Sequence, residues 1–102
     1  MIKHIVMWKL KDFAEGSGKE ENARKIKEQL ESLQGTIPEI KHIEAGINVI
    51  NTDSSADVVL YSEFENMESL NAYQKHPEHV KIVQFVRNVC TERRVVDYTI
   101  SE

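Results

Sequence analysis

The sequence lacks several things, and each lack excludes a class of protein. Only one of its 102 residues is cysteine, so no disulfide can close within the chain, and a reducing compartment, the cytoplasm, is the expected location. Excess positive charge is missing as well. Against 17 aspartates and glutamates stand 13 lysines and arginines, a formal net charge of -4, which leaves no basic field to draw the chain onto a phosphate backbone or anionic lipid. Nucleic acid and membrane are therefore not expected partners. No apolar run approaches the roughly 20 residues of a membrane-spanning helix. The opening Met1 to Leu10 is interrupted by lysines, with no small-residue cleavage site after it, so it reads as a strand and not as a signal peptide. A glycine-rich phosphate loop is absent too, because Gly16 and Gly18 do not stand in a G-x-G-x-x-G or Walker pattern after a strand.

What is present suits one compact soluble domain over residues 1–102, since domains most often run about 100 to 150 residues. Residues 2 to 10 alternate, placing Ile2, His4, Val6, Trp8 and Leu10 on one strand face and Lys3, Ile5, Met7 and Lys9 on the other. Ser17 followed three residues later by Glu20 has the spacing of a capping box. That predicts a helix start, and Ala23, Ile26, Leu30 and Leu33 form its apolar stripe until Gly35 and Pro38 end it. A strand is predicted over 40–50, with Ile43, Ala45, Ile47 and Val49 on one face. The segment 51–55 then turns the chain, and a hairpin partner follows over 57–64. Asn66 can cap a short helix with Met67, Leu70 and Tyr73 on one side. Pro77 opens a second helix whose stripe is Ile82, Val83, Val86, Val89 and Cys90, and a last strand runs from Glu92 to Ile100. The order is β-α-β-β-α-β with a split second helical unit, one of the ferredoxin-like α+β arrangements, built on a four-stranded antiparallel sheet.

Helices cover only one face of such a sheet, yet Ile5, Met7, Val59, Tyr61 and Val95 are expected on the other. A second copy of the chain is the simplest cover, because two-fold homodimers are the commonest oligomers. The alternative is a half-solvated sheet carrying scattered apolar residues.

The densest group of chemically capable residues is Tyr73-Gln74-Lys75-His76-Pro77-Glu78-His79. Helical steps from His79 lead to Ile82, Val83 and Val86, so its imidazole points toward the apolar side. There, in the first turn of a helix, the dipole disfavours its charged form. Tyr73 shares a face with Leu70, and His4 shares one with Val6 and Trp8. If those faces meet, Tyr73, His79 and His4 surround a pocket between sheet and helices that suits a small carbonyl compound. In the alternative they hydrogen-bond one another and serve structure alone. Val6, Trp8, Leu70, Val83 and His76 are the further residues expected to line such a pocket. No metal or cofactor is expected: Pro77 separates His76 from His79 at a helix boundary, and Cys90 has no base beside it in sequence. Arg93-Arg94 is read as surface pairing for the acidic excess. RNA-binding domains share the topology, but residues 58–64 lack their basic and aromatic signature.

These residues carry a resemblance. Ile2-Lys3-His4-Ile5-Val6, Asp57-Val58-Val59-Leu60, Glu63-Phe64-Glu65, Ala72 to His79 and Val95-Val96-Asp97-Tyr98 together resemble the stress-responsive A/B barrel domain family of dimeric α/β-barrel proteins. The resemblance implies a homodimer whose two sheets close into a barrel. In plant members that close polyketide rings, a tyrosine, a histidine and a further pocket histidine are used at positions that look like Tyr73, His79 and His4. It also implies, for some members, a cation held by backbone carbonyls near Gln34 to Pro38. Function is expected to be the binding of a small apolar or aromatic carbonyl compound. The alternative is a cofactor-free cyclase, isomerase or lyase with His79 and Tyr73 as its acid/base pair.

Overall fold

The alternation at the start of the chain sets the middle of the sheet. In the computed structural model, which describes residues 1–101, β1 (Ile2–Leu10) runs antiparallel to a strand on each side. These neighbours are β5 (Val58–Phe64) and β6 (Cys90–Thr99), and β4 (Ile40–Ile47) pairs with the far edge of β5. Sheet order is therefore β4-β5-β1-β6. One face is covered by α1 (Lys19–Glu31), α2 (Met67–Lys75) and α3 (Pro77–Val89). The fold is the ferredoxin-like α+β arrangement with a split second helical unit. Glu102, at the end of the expected domain, lies outside the described residues.

The local signals explain most of these elements. Every even-numbered residue of β1 is buried, and apolar residues of all three helices share its core. Asn66 caps α2, its side chain accepting from the Ser69 N–H at 2.9 Å. Pro77 takes the first position of α3, where no intrahelical N–H is needed. Among the described residues, no helix is long and apolar enough to cross a membrane.

Other expectations need correction. No capping box forms at Ser17. Ser17–Gly18 is β3, paired with β2 (Phe13–Ala14) across Glu15 and Gly16, whose φ angles of 51° and 75° make the tight turn that suits the strand twist. The helix begins after Gly18 with no side-chain cap. Asn22, which the apolar pattern passed over, holds this hairpin instead. Fully buried, it donates through Nδ2 to the carbonyls of Ala14 (3.0 Å) and Ser17 (3.3 Å).

The strand predicted over 40–50 stops at Ile47. Asn48 then turns its amide onto the Ile50 carbonyl at 2.9 Å, leaving Val49 and Ile50 in solvent. Met67 stands exposed at the start of α2. Cys90 opens β6 and is not part of the helical stripe. Val95 is paired with Val6 and so shares the helix side of the sheet, while Val96, opposite Ile5, takes the outer face.

That outer face carries Met7, Val59, Val96 and Tyr98, all substantially exposed, beside a polar half. There Lys3 donates to the Tyr61 hydroxyl and to Glu63 (3.1 Å), and Tyr61 donates to Glu63 at 2.6 Å. His42 sits next to Glu44 at 2.8 Å on the same face.

Candidate functional site

Between the sheet and α3 lies a cavity of about 260 Å³. Its walls are mostly apolar: Val6 and Trp8 from β1, Leu60 from β5, Leu30 from α1, and Ile82, Val83 and Val86 from α3. Besides two arginines, the polar side chains His4, Tyr73 and His79 reach it from three elements. The alternation of β1 delivers His4, the inward stripe of α2 delivers Tyr73, and the break at His76-Pro77 lets α3 restart with His79 facing the same space.

Tyr73 is the most deeply set of the three, with none of its surface exposed. Its ring centre lies 4.3 Å from that of His79, 4.9 Å from Phe64 and 6.2 Å from His4. Among the described residues the hydroxyl nevertheless has no hydrogen-bond partner. Burial pushes its pKa well above the usual tyrosine range, so the phenol keeps its proton and can act as a donor. Leaving such a group unmet costs on the order of 1–3 kcal/mol, which an acceptor entering the cavity would recover by displacing the side chains that close over the hydroxyl.

The Nδ1 of His79 lies 3.1 Å from the Gln74 carbonyl, across the break between α2 and α3. A carbonyl only accepts, so Nδ1 carries the proton and the neutral ring leaves Nε2 as a free acceptor. Burial, first of all, holds the pKa of His79 below the usual histidine value; the Gln74 carbonyl opposes this, and the positive field of Arg93 adds to it. The neutral ring expected from the helix start thus has burial as its leading cause.

His4 is held from the neighbouring strand. The register pairs it with Asp97, and its Nδ1 meets the Asp97 carboxylate at 2.5 Å. Asp97 was not singled out from spacing, because only the β1–β6 register brings it opposite His4. The His4 carbonyl accepts from the Ser62 hydroxyl at 3.0 Å, fixing the strand behind the ring.

Of the other pocket residues expected from sequence, Val6, Trp8 and Val83 line the cavity, and Leu70 and His76 do not. Leu70 is buried in the core. His76 caps α3: its Nδ1 accepts from the Glu78 N–H at 3.1 Å, so the ring is spent on the helix start. Arg93 needs the opposite correction. It stands opposite Trp8 and lines the cavity with Arg87 of α3, and among the described residues neither arginine forms a salt bridge.

The turn after α1 bears on the backbone cation implied by the resemblance. Among the described residues, the carbonyls of Gln34, Gly35 and Thr36 accept no hydrogen bond, while that of Leu33 takes two. Such free oxygens fit an oxygen-liganded cation, which they would hold to brace the turn; none of the three lines the cavity.

Fold and cavity together define a ferredoxin-like α+β domain with a small-molecule-sized space between sheet and helices. The chain belongs to the Stress responsive A/B Barrel Domain family, whose model matches residues 2–100. It is 29% identical over 102 aligned positions to a stress-response A/B barrel domain-containing protein of Arabidopsis thaliana, covering 96% of this chain and 36% of that protein. The chain spans less than half the length of the curated relatives it matches. Among solved structures it is similar to a dimeric ferredoxin-like protein of unknown function from Bacteroides fragilis, at 35% identity and a TM-score of 0.82, covering 97% and 95% of the two chains. It also shares its fold with the hydroxynitrile lyase of Passiflora edulis, at 18% identity and a TM-score of 0.80, covering 99% and 94%.

The lowered pKa of His79 has a consequence for stability. A histidine whose folded-state pKa lies below its unfolded value contributes stability that is complete above about pH 6.5 and is lost as pH falls through the folded value. His79→Asn, whose amide can still donate to the Gln74 carbonyl but does not titrate, should flatten the fall in Tm between about pH 7 and about pH 5. An equal fall in both proteins would contradict the assignment.

Proposed function

We propose that the chain acts as one stress-responsive A/B barrel domain that binds a small apolar or aromatic carbonyl compound in the cavity beside Tyr73, His79 and His4. The observation that carries this reading is the Tyr73 hydroxyl: buried, protonated and, among the described residues, without an acceptor. A ligand carbonyl is the acceptor that such a donor lacks, and the apolar walls take the rest of the molecule. A single unpaired cysteine supports a cytoplasmic setting.

The domain works as a homodimer through the outer face of its sheet, the two sheets closing into a barrel. Outward Met7, Val59 and Val96 support this, as does the dimeric description of the Bacteroides fragilis protein. Light scattering at micromolar concentration should give twice the chain mass; the mass of one chain would overturn the dimer.

A second reading, a cofactor-free cyclase, isomerase or lyase, is favoured by the His79 ring, its Nε2 free among the described residues, packed with its centre 4.3 Å from that of the Tyr73 ring. In it His79 takes a proton from the carbon beside the carbonyl, Tyr73 donates to the oxygen that gains the charge, and His79 returns the proton to carbon or to a leaving group.

One titration addresses both. Trp8 is the chain's only tryptophan and lines the cavity, so acetophenone should change its emission saturably, and Val83→Phe, which fills the space, should abolish the change. A folded protein whose emission does not respond would overturn the binding reading. Run in D2O, the same mixture separates the two readings. An enzyme exchanges the methyl protons of acetophenone faster than buffer does, and loses about 10²–10⁴ of that rate in His79→Asn. A binder does not exchange them.

A further inference from the structure

We propose that the compound held in the cavity is an acid, a small aromatic or apolar oxo acid whose carboxylate is bound by Arg87 and Arg93 at the mouth while its carbonyl reaches Tyr73. This rests on the cavity being a binding site, and it adds the charge and the polarity order of the ligand.

Three observations carry it. First, Arg87 of α3 and Arg93 of β6 line the same cavity from two different elements, and among the described residues no aspartate or glutamate lines it with them. Second, neither guanidinium is neutralised by a salt bridge among the described residues, in a chain with four more acidic than basic residues. Cations without a salt bridge that line one cavity in an acidic chain are placed for an anion that the described residues do not themselves supply. Third, the polar groups are graded by depth: Tyr73 is fully buried, while both arginines are exposed. A ligand with an acceptor at one end and a negative charge at the other matches that gradient, and one with the ends reversed does not.

Size and geometry narrow the anion. A cavity of about 150 Å³ takes a benzene molecule, so about 260 Å³ takes one ring with a short chain. A guanidinium presents parallel N–H donors that match the two oxygens of a carboxylate. Because both arginines are exposed, the attraction is screened and should weaken with salt.

Two probes of nearly equal shape isolate the charge. 4-Acetylbenzoate and 4-methylacetophenone differ only in a carboxylate replaced by a methyl group, and each carries its carbonyl at the opposite end of the ring. Calorimetric titration at low salt should show 4-acetylbenzoate binding at least about tenfold more tightly, a ratio in keeping with a charge-assisted hydrogen bond. The double variant Arg87→Gln, Arg93→Gln should bring the ratio to about one, and the paired Arg→Lys changes should keep part of it. Equal binding of both probes to the unaltered protein, or an unchanged ratio in the double variant, would overturn the acid assignment and leave the cavity reading standing. Binding of neither probe would overturn both.

Discussion

Side chains of a strand alternate between its faces with a period of two, so a slip of one residue in β1 would turn His4, Val6 and Trp8 out of the core and Ile5 and Met7 into it. The cavity depends on this register. It also sets which residues β6 contributes, because Asp97 meets His4 and Arg93 meets Trp8 only in the observed pairing. Several bonds hold it at the far end of the strand. The Asp57 carboxylate accepts from the Leu10 N–H at 2.7 Å, the Asp57 N–H donates to the Trp8 carbonyl at 2.8 Å, and the Lys11 N–H donates to the Val89 carbonyl at 2.8 Å. Apolar burial along one face and these ties at the end enforce the same answer.

Within that frame the cavity combines polarity with little charge at depth. Tyr73 keeps its proton and His79 is favoured neutral, both through burial. The Asp97 carboxylate is engaged by His4. Formal positive charge is confined to the two arginines at the opening. Such an arrangement presents a donor to a neutral oxygen inside and a field for an anion outside, and it does so with groups that three separate elements orient. The Gln74 carbonyl bond of His79 spans the break between α2 and α3, so the joint of the two helices and the orientation of the imidazole are a single feature.

The periodic parts of the fold were legible because burial follows the same period as the sequence: the even face of β1, the stripe of α1 and the Asn66 and Pro77 helix starts all follow elementary rules. The misses have a common physical origin. Where two apolar residues are adjacent, as at Val95-Val96, alternation carries no phase, and only pairing with β1 decides which faces inward. Ser17 satisfied a spacing rule, but the positive φ values at Glu15 and Gly16 drew it into a hairpin that Asn22 then secures. At the cavity, His4, Tyr73 and His79 were legible because each lies on a clearly amphipathic element. His76 was misread because a histidine beside a helix start can cap as readily as line a pocket. Asp97 and Arg93 were invisible as partners because their relation to His4 and Trp8 exists only across strands.

In the proposed function the Tyr73 hydroxyl, which has no acceptor among the described residues, donates to the carbonyl of the ligand. The most direct measurement is the infrared carbonyl stretch of carbon-13-labelled acetophenone bound to the protein, compared with the same ligand bound to Tyr73→Phe. A frequency lowered in the unaltered protein and returned toward its value in an apolar solvent in Tyr73→Phe is the predicted result. The same frequency in both proteins would show that Tyr73 does not donate to the ligand.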